Sequence, residues 1–177
     1  MAWHLLVIDT QEAFVPHIDG WDSMVRRTET MVLAARRLDV PVTATEQNPG
    51  KLGPTVPPVV AALGDSPVYS KLAFSCLRVP EVRDRIAGEV PVNLVCVGIE
   101  AHVCVLQTAL DALGLPGGVT PYLAVDAIGS RRALDRSTAL RRLERAGAVL
   151  TTVESVIFEI LGAAGTDRFR AVLPLVR

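Results

Sequence analysis

The sequence predicts an α/β domain built on a doubly wound parallel sheet, and three observations lead to that fold class. Short runs rich in Val, Ile and Leu recur without polar alternation, which is typical of strands buried on both faces. Amphipathic stretches with helical spacing lie between most of these runs, and strand followed by helix, repeated, indicates double winding. The length suits one domain, and no repeat or linker divides residues 1–177.

The predicted elements follow one another in the order that such a sheet requires. Strands are expected at residues 3–8, 40–44, 92–97 and 119–125, with a weaker one at 148–151. Helices are expected at residues 24–38, 103–113, 132–146 and 155–161. The segment 46–58 contains four prolines and two glycines and is expected to be a long irregular loop. Such a loop either frames a site or connects two elements at the surface.

Composition and charge exclude several classes of function. The formal net charge is -1, so the chain has no basic field for nucleic acid or anionic lipid, and a small-molecule ligand fits better. The sequence shows no secretion signal, and no apolar run reaches the ~18 residues of a membrane span, so we expect a cytoplasmic protein. Its three cysteines lack the spacing of a disulfide framework or a zinc site, so free thiols and no bound metal are expected.

Three side chains are placed where an open parallel sheet binds ligands, beyond the carboxyl ends of its strands. Asp9 closes the first apolar run and either acts as a general acid or base or caps the next turn. Lys71 has mostly apolar neighbours and is either half-buried beside an anion or an ordinary surface charge. Cys104 is predicted in the first turn of a helix, where backbone N–H groups favour a thiolate and stabilise an oxyanion. The alternative for Cys104 is a small buried residue that packs against the sheet.

Other candidate side chains have simpler interpretations. Cys76 and Cys96 lack an activating pattern and are interpreted as buried structural residues. His102 precedes Cys104 by two residues, but successive residues at a helix start diverge in direction, which disfavours a Cys–His pair. The arginines after residue 130 fit a solvated helix face better than a phosphate site: Arg131, Arg132, Arg136, Arg141, Arg142 and Arg145.

Five segments together resemble one known family. They are VIDTQEAF, TEQNPGKLGPTV, YSKLAFS, VGIEAHVCVLQTALDAL and VDAIGSR, and they occur in the family's order between residues 5 and 160. Each segment alone is a weak signal, whereas the ordered set is specific. The chain resembles the isochorismatase-like hydrolases, which include nicotinamidases and N-carbamoylsarcosine amidases. It looks most like isochorismatase-domain-containing proteins of unassigned substrate.

The resemblance implies a fold and a mechanism. The fold would be a three-layer αβα sandwich with a six-stranded parallel sheet of order 3-2-1-4-5-6. The family's triad would consist of Asp9, Lys71 and Cys104. In that triad the carboxylate takes the thiol proton, the ammonium steadies the charges, and the thiolate attacks an amide carbonyl to give a thioester. The resemblance also implies a cis peptide between Ile99 and Glu100, with an oxyanion hole made by the backbone N–H groups of Glu100 and Cys104.

Departures from better-known members limit the substrate. The Asp-x-His metal motif of nicotinamidases is replaced by residues 45–48, TEQN, so neither a zinc site of that type nor another cofactor is expected. True isochorismatases have no cysteine at the nucleophile position, so Cys104 argues against vinyl ether hydrolysis. The expected reaction is hydrolysis of a C–N bond in a small amide or carbamoyl compound.

Three further residues are candidate substrate contacts. Gln47 either points into the pocket or stabilises its loop, and Phe14 and Phe74 either wall the pocket or pack in the core. The apolar C-terminal half, and the assemblies formed by related folds, predict a homo-oligomer. Two alternative functions stay open on the same fold, a non-catalytic binding module and a redox-sensing thiol protein.

Overall fold

The computed structural model describes residues 1–176, and its centre is a six-stranded parallel sheet. The strands are β1 (Ala2–Ile8), β2 (Val42–Gln47), β3 (Val68–Lys71), β4 (Val92–Ile99), β5 (Val119–Gly129) and β6 (Val149–Thr151). Their order in the sheet is β3-β2-β1-β4-β5-β6, and every neighbouring pair is parallel. The predicted order 3-2-1-4-5-6 is therefore confirmed.

Helices cover both faces of this sheet. They are α1 (Trp21–Arg37), α2 (Pro49–Leu52), α3 (Pro57–Leu63), α4 (Pro80–Ala87), α5 (Leu106–Leu113), α6 (Ala133–Ala146), α7 (Val153–Leu161) and α8 (Asp167–Val172). One hydrophobic core joins the sheet to α1, α3, α7 and α8, and a second joins its other face to α4, α5 and α6. This arrangement confirms the three-layer αβα sandwich.

Burial on both faces explains why the strand sequences lack polar alternation. In β1, Leu5 and Val7 belong to the core beneath α1, whereas Leu6 and Ile8 belong to the core beneath α5. Successive side chains of a strand point to opposite faces, so covering both faces requires an unbroken apolar run. Full burial of each such side chain contributes roughly 1.5–3 kcal/mol relative to exposure.

The segment 46–58 is more regular than its composition predicts, so the expectation of a long irregular loop is wrong. It contains the end of β2, the whole of α2 and the start of α3. Pro49 and Pro57 are the first residues of α2 and α3, where the fixed φ of proline is favourable and its missing N–H is not needed. β2 also runs three residues past the predicted strand 40–44, because its polar end pairs with β3.

The close approach of β1 and β4 requires glycine at position 98. Gly98 has a φ of 109°, and a Cβ there would lie 2.0 Å from the carbonyl oxygen of Ile8. The register between β4 and β5 shifts between Cys96 and Gly98, which is a bulge at the end of β4. A cis peptide bond joins Ile99 to Glu100 directly after this bulge.

Candidate active site

Three elements bring Asp9, Lys71 and Cys104 together at the carboxyl edge of the sheet. Asp9 follows β1, and Lys71 is the last residue of β3. Cys104 lies in a π-helical turn, Ala101–Val105, that connects β4 to α5. The three residues are nearly buried, with exposed fractions of 1%, 5% and 6%. The sheet order places β1 between β4 and the β2–β3 pair, so side chains distant in sequence meet at one point.

The ammonium of Lys71 is the centre of this cluster. Its Nζ donates to Asp9 Oδ2 at 2.7 Å and to Gln47 Oε1 at 2.7 Å, and it lies 3.4 Å from Cys104 Sγ. Burial is the largest single influence and lowers the pKa of the ammonium, but the surrounding groups, led by the Asp9 carboxylate, together outweigh burial, and the pKa of Lys71 is raised. Lys71 is therefore a cation at neutral pH. The alternative of an ordinary surface lysine is wrong, since its side chain is fully covered.

Both carboxylate oxygens of Asp9 have partners. Oδ1 accepts a hydrogen bond from Thr45 Oγ1 at 2.8 Å, and Oδ2 accepts from Lys71. The Asp9 backbone has a φ of 52°, a left-handed conformation that aspartate tolerates better than most residues. Its N–H donates to the Thr45 carbonyl oxygen at 3.1 Å. Asp9 is thus held by β2 through both its backbone and its side chain.

The surroundings of Cys104 favour its neutral thiol over the thiolate. Burial and the negative charge of Asp9 raise the pKa of Cys104, and the Lys71 cation lowers it by less. The sequence predicted that a helix N-terminus would favour the thiolate. Burial and the adjacent carboxylate act against that effect. Cys104 therefore loses its proton only when a nearby base accepts it.

A cavity of about 330 Å³ lies above these residues. Phe14, Gln47 and Phe74 all contribute to its wall, as does Cys104. Phe74 is 59% exposed and Phe14 is partly buried, so Phe74 in particular is not a core residue. Gln47 lines the cavity and also stabilises its surroundings, because its Nε2 donates to the Leu72 carbonyl oxygen at 2.8 Å while its Oε1 accepts from Lys71. Gln47 thus lines the cavity and connects the end of β2 to Leu72 and Lys71.

Glu100 and Arg131 form one side of the same cavity. The Glu100 carboxylate is 5% exposed and accepts hydrogen bonds from the Arg131 Nε at 3.1 Å and from the Arg131 backbone N–H at 2.9 Å. Within residues 1–176, the backbone N–H of Glu100 donates to no other protein group. Arg131 precedes α6, so its interpretation as part of a helix face is wrong, although its side chain is 56% exposed and pairs with a buried carboxylate.

A model of the isochorismatase domain family matches residues 4–155 of this chain. The chain belongs to the isochorismatase domain family. Similar curated proteins include a secreted isochorismatase effector, Isc1, of Phytophthora sojae, which is 40% identical over 98% of this chain and 83% of its own length. Isochorismatase domain-containing protein 2 of Bos taurus is also 40% identical, over 98% of this chain and 82% of its own.

Solved structures give the same relationship. The MAR1 ribonuclease from Caenorhabditis elegans superposes with a TM-score of 0.93 at 38% identity, covering 99% of this chain and 89% of the other. The isochorismatase resemblance found in the sequence is thereby confirmed, together with the hydrolase fold of the family.

Several residues of this isochorismatase domain site were absent from the sequence prediction. Thr45 bonds Asp9, and Leu52, Val103 and Arg131 line the cavity. His102 bonds Ser130 Oγ at 3.1 Å and forms no hydrogen bond with the Cys104 thiol.

Among residues 1–176, no three His, Cys, Asp or Glu side chains come together as ligands for a metal ion. No helix in that same part of the chain has the length and apolarity that crossing a bilayer requires.

Proposed function

We propose that this chain is a cysteine hydrolase that cleaves a C–N bond in a small amide or carbamoyl compound, with Asp9, Lys71 and Cys104 as its triad. One observation carries the proposal. A single ammonium, Lys71 Nζ, lies 2.7 Å from the Asp9 carboxylate and 3.4 Å from the Cys104 sulfur, beneath a cavity that opens to solvent. A base, a cation and a nucleophile within mutual reach are what acyl transfer through a covalent intermediate requires.

In the proposed reaction, Asp9 accepts the Cys104 thiol proton as the sulfur bonds to the substrate carbonyl carbon. The carbonyl π electrons move to its oxygen, where the backbone N–H groups of Glu100 and Cys104 form the oxyanion hole. Collapse of this intermediate re-forms the carbonyl, breaks the C–N bond and leaves a thioester. The departing amine takes the proton from Asp9. Asp9 then deprotonates a water that hydrolyses the thioester, and the Cys104 thiol is restored.

The raised pKa of Cys104 fits this sequence of steps. A neutral resting thiol does not form an ion pair with Lys71, so the cation is kept for the charges that develop during the reaction. Groups that interact more strongly with the transition state than with the ground state accelerate the chemical step. Lys71 has that property, because negative charge moves from Asp9 to the sulfur and then to the substrate within its reach.

The cavity supports a small substrate. Its volume of about 330 Å³ lies at the lower end of the range for small-molecule sites, and its lining is mainly apolar. We propose that Phe14 and Phe74 contact the apolar part of the substrate, and that Gln47 binds it while orienting Lys71. The net charge of -1 disfavours a polynucleotide. An RNA substrate is nevertheless included in the test below, because one similar structure is of a ribonuclease.

We further propose a cytoplasmic homo-oligomer. Three free, buried cysteines suit a reducing compartment. Large apolar side chains at the surface, among them Leu72 and Leu134 at 75% and 74% exposure, suit contact between copies. Size-exclusion chromatography with light scattering tests the second proposal, and a monomer at micromolar concentration would contradict it.

Iodoacetamide labelling and an amide panel together test the proposed function. The protein is labelled between pH 5 and 9, and the modified cysteine is located by mass spectrometry. Ammonia release is measured with small amides and carbamoyl compounds, and cleavage of a single-stranded RNA is followed separately by gel electrophoresis. We expect labelling at Cys104, and amide hydrolysis that Cys104→Ala and Asp9→Asn abolish while the buried-thiol control Cys96→Ala does not. RNA cleavage without amide hydrolysis would overturn the substrate class, and turnover that survives Cys104→Ala would overturn the mechanism.

Iodoacetamide labelling and a peroxide treatment separate the two alternative functions, a binding module and a redox sensor. A binding module predicts an inert Cys104 in the folded protein. A redox sensor predicts that peroxide links Cys104 to Cys76 or Cys96 reversibly, without hydrolysis of any amide.

A further inference from the structure

A chain of polar contacts runs from Asp9 away from the cavity, into the interior of the protein. Thr45 Oγ1 lies 2.8 Å from Asp9 Oδ1 and 3.4 Å from Cys76 Sγ. The three residues are 1%, 1% and 0% exposed. The mechanism proposed above uses neither Thr45 nor Cys76, and polar side chains buried to this degree are expected to have a defined role in the hydrogen-bond network.

The direction of these hydrogen bonds follows from the groups available. An ionised carboxylate only accepts, so the single O–H proton of Thr45 points to Asp9 Oδ1. Thr45 Oγ1 must therefore accept at its contact with Cys76, whose S–H is the donor. Burial and the nearby Asp9 charge raise the pKa of Cys76 to about 11, so this residue keeps its proton at neutral pH. As a donor to Thr45 Oγ1, the thiol leaves the hydroxyl proton of Thr45 for Asp9 Oδ1.

The network also connects two of the elements that form the site. The Cys76 backbone N–H donates to Thr108 Oγ1 at 2.9 Å. Thr108 is four residues after Cys104, one turn further along the same helical segment. The short turn Cys76–Arg78, which follows β3, is thus joined to α5 on one side and to the Thr45–Asp9 pair on the other.

We propose that Thr45, oriented by the Cys76 thiol, is a positioning residue that holds the Asp9 carboxylate toward Lys71 and Cys104 and favours its ionised form. The catalytic consequence rests on the proposed function, since it concerns the base of that reaction. The hydrogen bond from Thr45 occupies Oδ1 and leaves Oδ2 to Lys71, which prevents the carboxyl group from rotating. Thr45 itself does not line the cavity.

Several titratable groups surround Asp9. Lys71 faces it from β3, Cys76 from the following turn, and Cys104 from the turn after β4. The Glu100–Arg131 ion pair lines the same cavity. Removing the Thr45 hydroxyl leaves all of these groups in place, so a change in the titration midpoint of Asp9 is assigned to the lost hydrogen bond.

The test compares Thr45→Val with Thr45→Ser. Valine matches the shape of threonine without the hydroxyl, whereas serine keeps the donor. The Asp9 carboxyl is followed by carbon-13 NMR as a function of pH, with its signal assigned through Asp9→Asn. We expect the titration midpoint of Asp9 in Thr45→Val to move to higher pH by roughly one unit. The reason is that the lost hydrogen bond stabilises the carboxylate and changes its ionisation constant by about tenfold. Thr45→Ser should titrate as the unchanged protein does.

Cysteine variants test the second link. Cys76→Ala should move the Asp9 midpoint in the same direction by a smaller amount, and Cys76→Ser should restore it. Cys96→Ala is the matched control, because Cys96 is equally buried but contacts the Leu94 carbonyl oxygen rather than Thr45. Should Thr45→Val fail to fold, Thr45→Ala and Cys76→Ala allow the same comparison. Identical Asp9 titrations in all folded variants would overturn the inference.

The design separates this inference from the proposed function. A displaced Asp9 titration in Thr45→Val, with an inert Cys104 and no amide hydrolysed, would support the positioning role and overturn the proposed reaction. Amide hydrolysis that depends on Cys104 but keeps its rate and pH profile in Thr45→Val would support the proposed reaction and overturn the positioning role of Thr45.

Discussion

Replacing Lys71 by methionine removes the cation between Asp9 and Cys104 while keeping most of the side-chain length. At 3.4 Å from the sulfur, and with an effective dielectric constant of about 20, a unit positive charge stabilises a thiolate by about 5 kcal/mol. That energy corresponds to more than 10³-fold in the thiolate population. Part of the effect is offset, because Asp9 without its cation gains a proton more readily and then repels the thiolate less. We therefore expect a net loss of at least about 10²-fold.

The assay is the second-order rate constant for iodoacetamide at Cys104, measured between pH 6 and 10 by mass spectrometry. The rate in Lys71→Met should fall by that factor at neutral pH, and its pH profile should move to higher pH, since removing the cation raises the pKa of Cys104 further. Lys51→Met is the matched control, because Lys51 is an exposed lysine of α2 near the same cavity. Its rate should equal that of the unchanged protein.

The same variant has a cost in stability that must be measured beside the reactivity. An uncompensated buried carboxylate destabilises a protein by about 3–5 kcal/mol, so urea unfolding of Lys71→Met should show a loss of that size. The double variant Asp9→Asn/Lys71→Met should recover most of it, because no buried charge is left unpaired. A folded Lys71→Met protein that alkylates at Cys104 as fast as the unchanged protein would refute the electrostatic role of Lys71.

Three further substitutions test other parts of the structure. Gly98→Ala should destabilise by more than about 4 kcal/mol, because its Cβ would meet the Ile8 carbonyl oxygen at 2.0 Å; a thermal midpoint near that of the unchanged protein would contradict this. Burial lowers the pKa of His4, so the unfolded chain binds a proton that native His4 resists, and the free energy of unfolding should fall as pH drops below about 6.5. His4→Gln should flatten that pH dependence in urea titrations. Phe74→Ala should change stability by less than about 0.5 kcal/mol, since the residue is exposed, yet lower kcat/KM roughly tenfold on an amide that the panel identifies.

The central strands could be predicted from sequence because burial on both faces gives an unbroken apolar run. β1 and β4 have that pattern along their length. β3 does not, since it has four residues and most of them are exposed or partly exposed, and its presence was only implied by the family resemblance. The helix α3 was missed for another reason. Its two prolines at the first positions suggested a loop, although proline is well suited to begin a helix.

The site was predicted in part, because position along the chain shows which residues end a strand but not what faces them. Asp9 was found in this way, and Cys104 from its place before a helix. The raised pKa of Cys104 was not predicted, since it depends on burial and on a carboxylate 95 positions earlier in the chain. Arg131 was misinterpreted for the same reason. Its partner Glu100 is 31 residues away, so local charge patterns could not reveal the ion pair.

The cation of the candidate site is carried by a short strand at one edge of the sheet. β3 is four residues long, lies at the edge of the sheet and pairs with β2 alone. Edge strands exchange their amide hydrogens through local fluctuations that cost less free energy than global unfolding. Detachment of β3 would withdraw Lys71 while the two hydrophobic cores stay intact. On mild heating or in dilute urea the candidate site should therefore be disrupted before the fold is lost, and the rate of Cys104 alkylation would report the integrity of this edge rather than that of the whole domain.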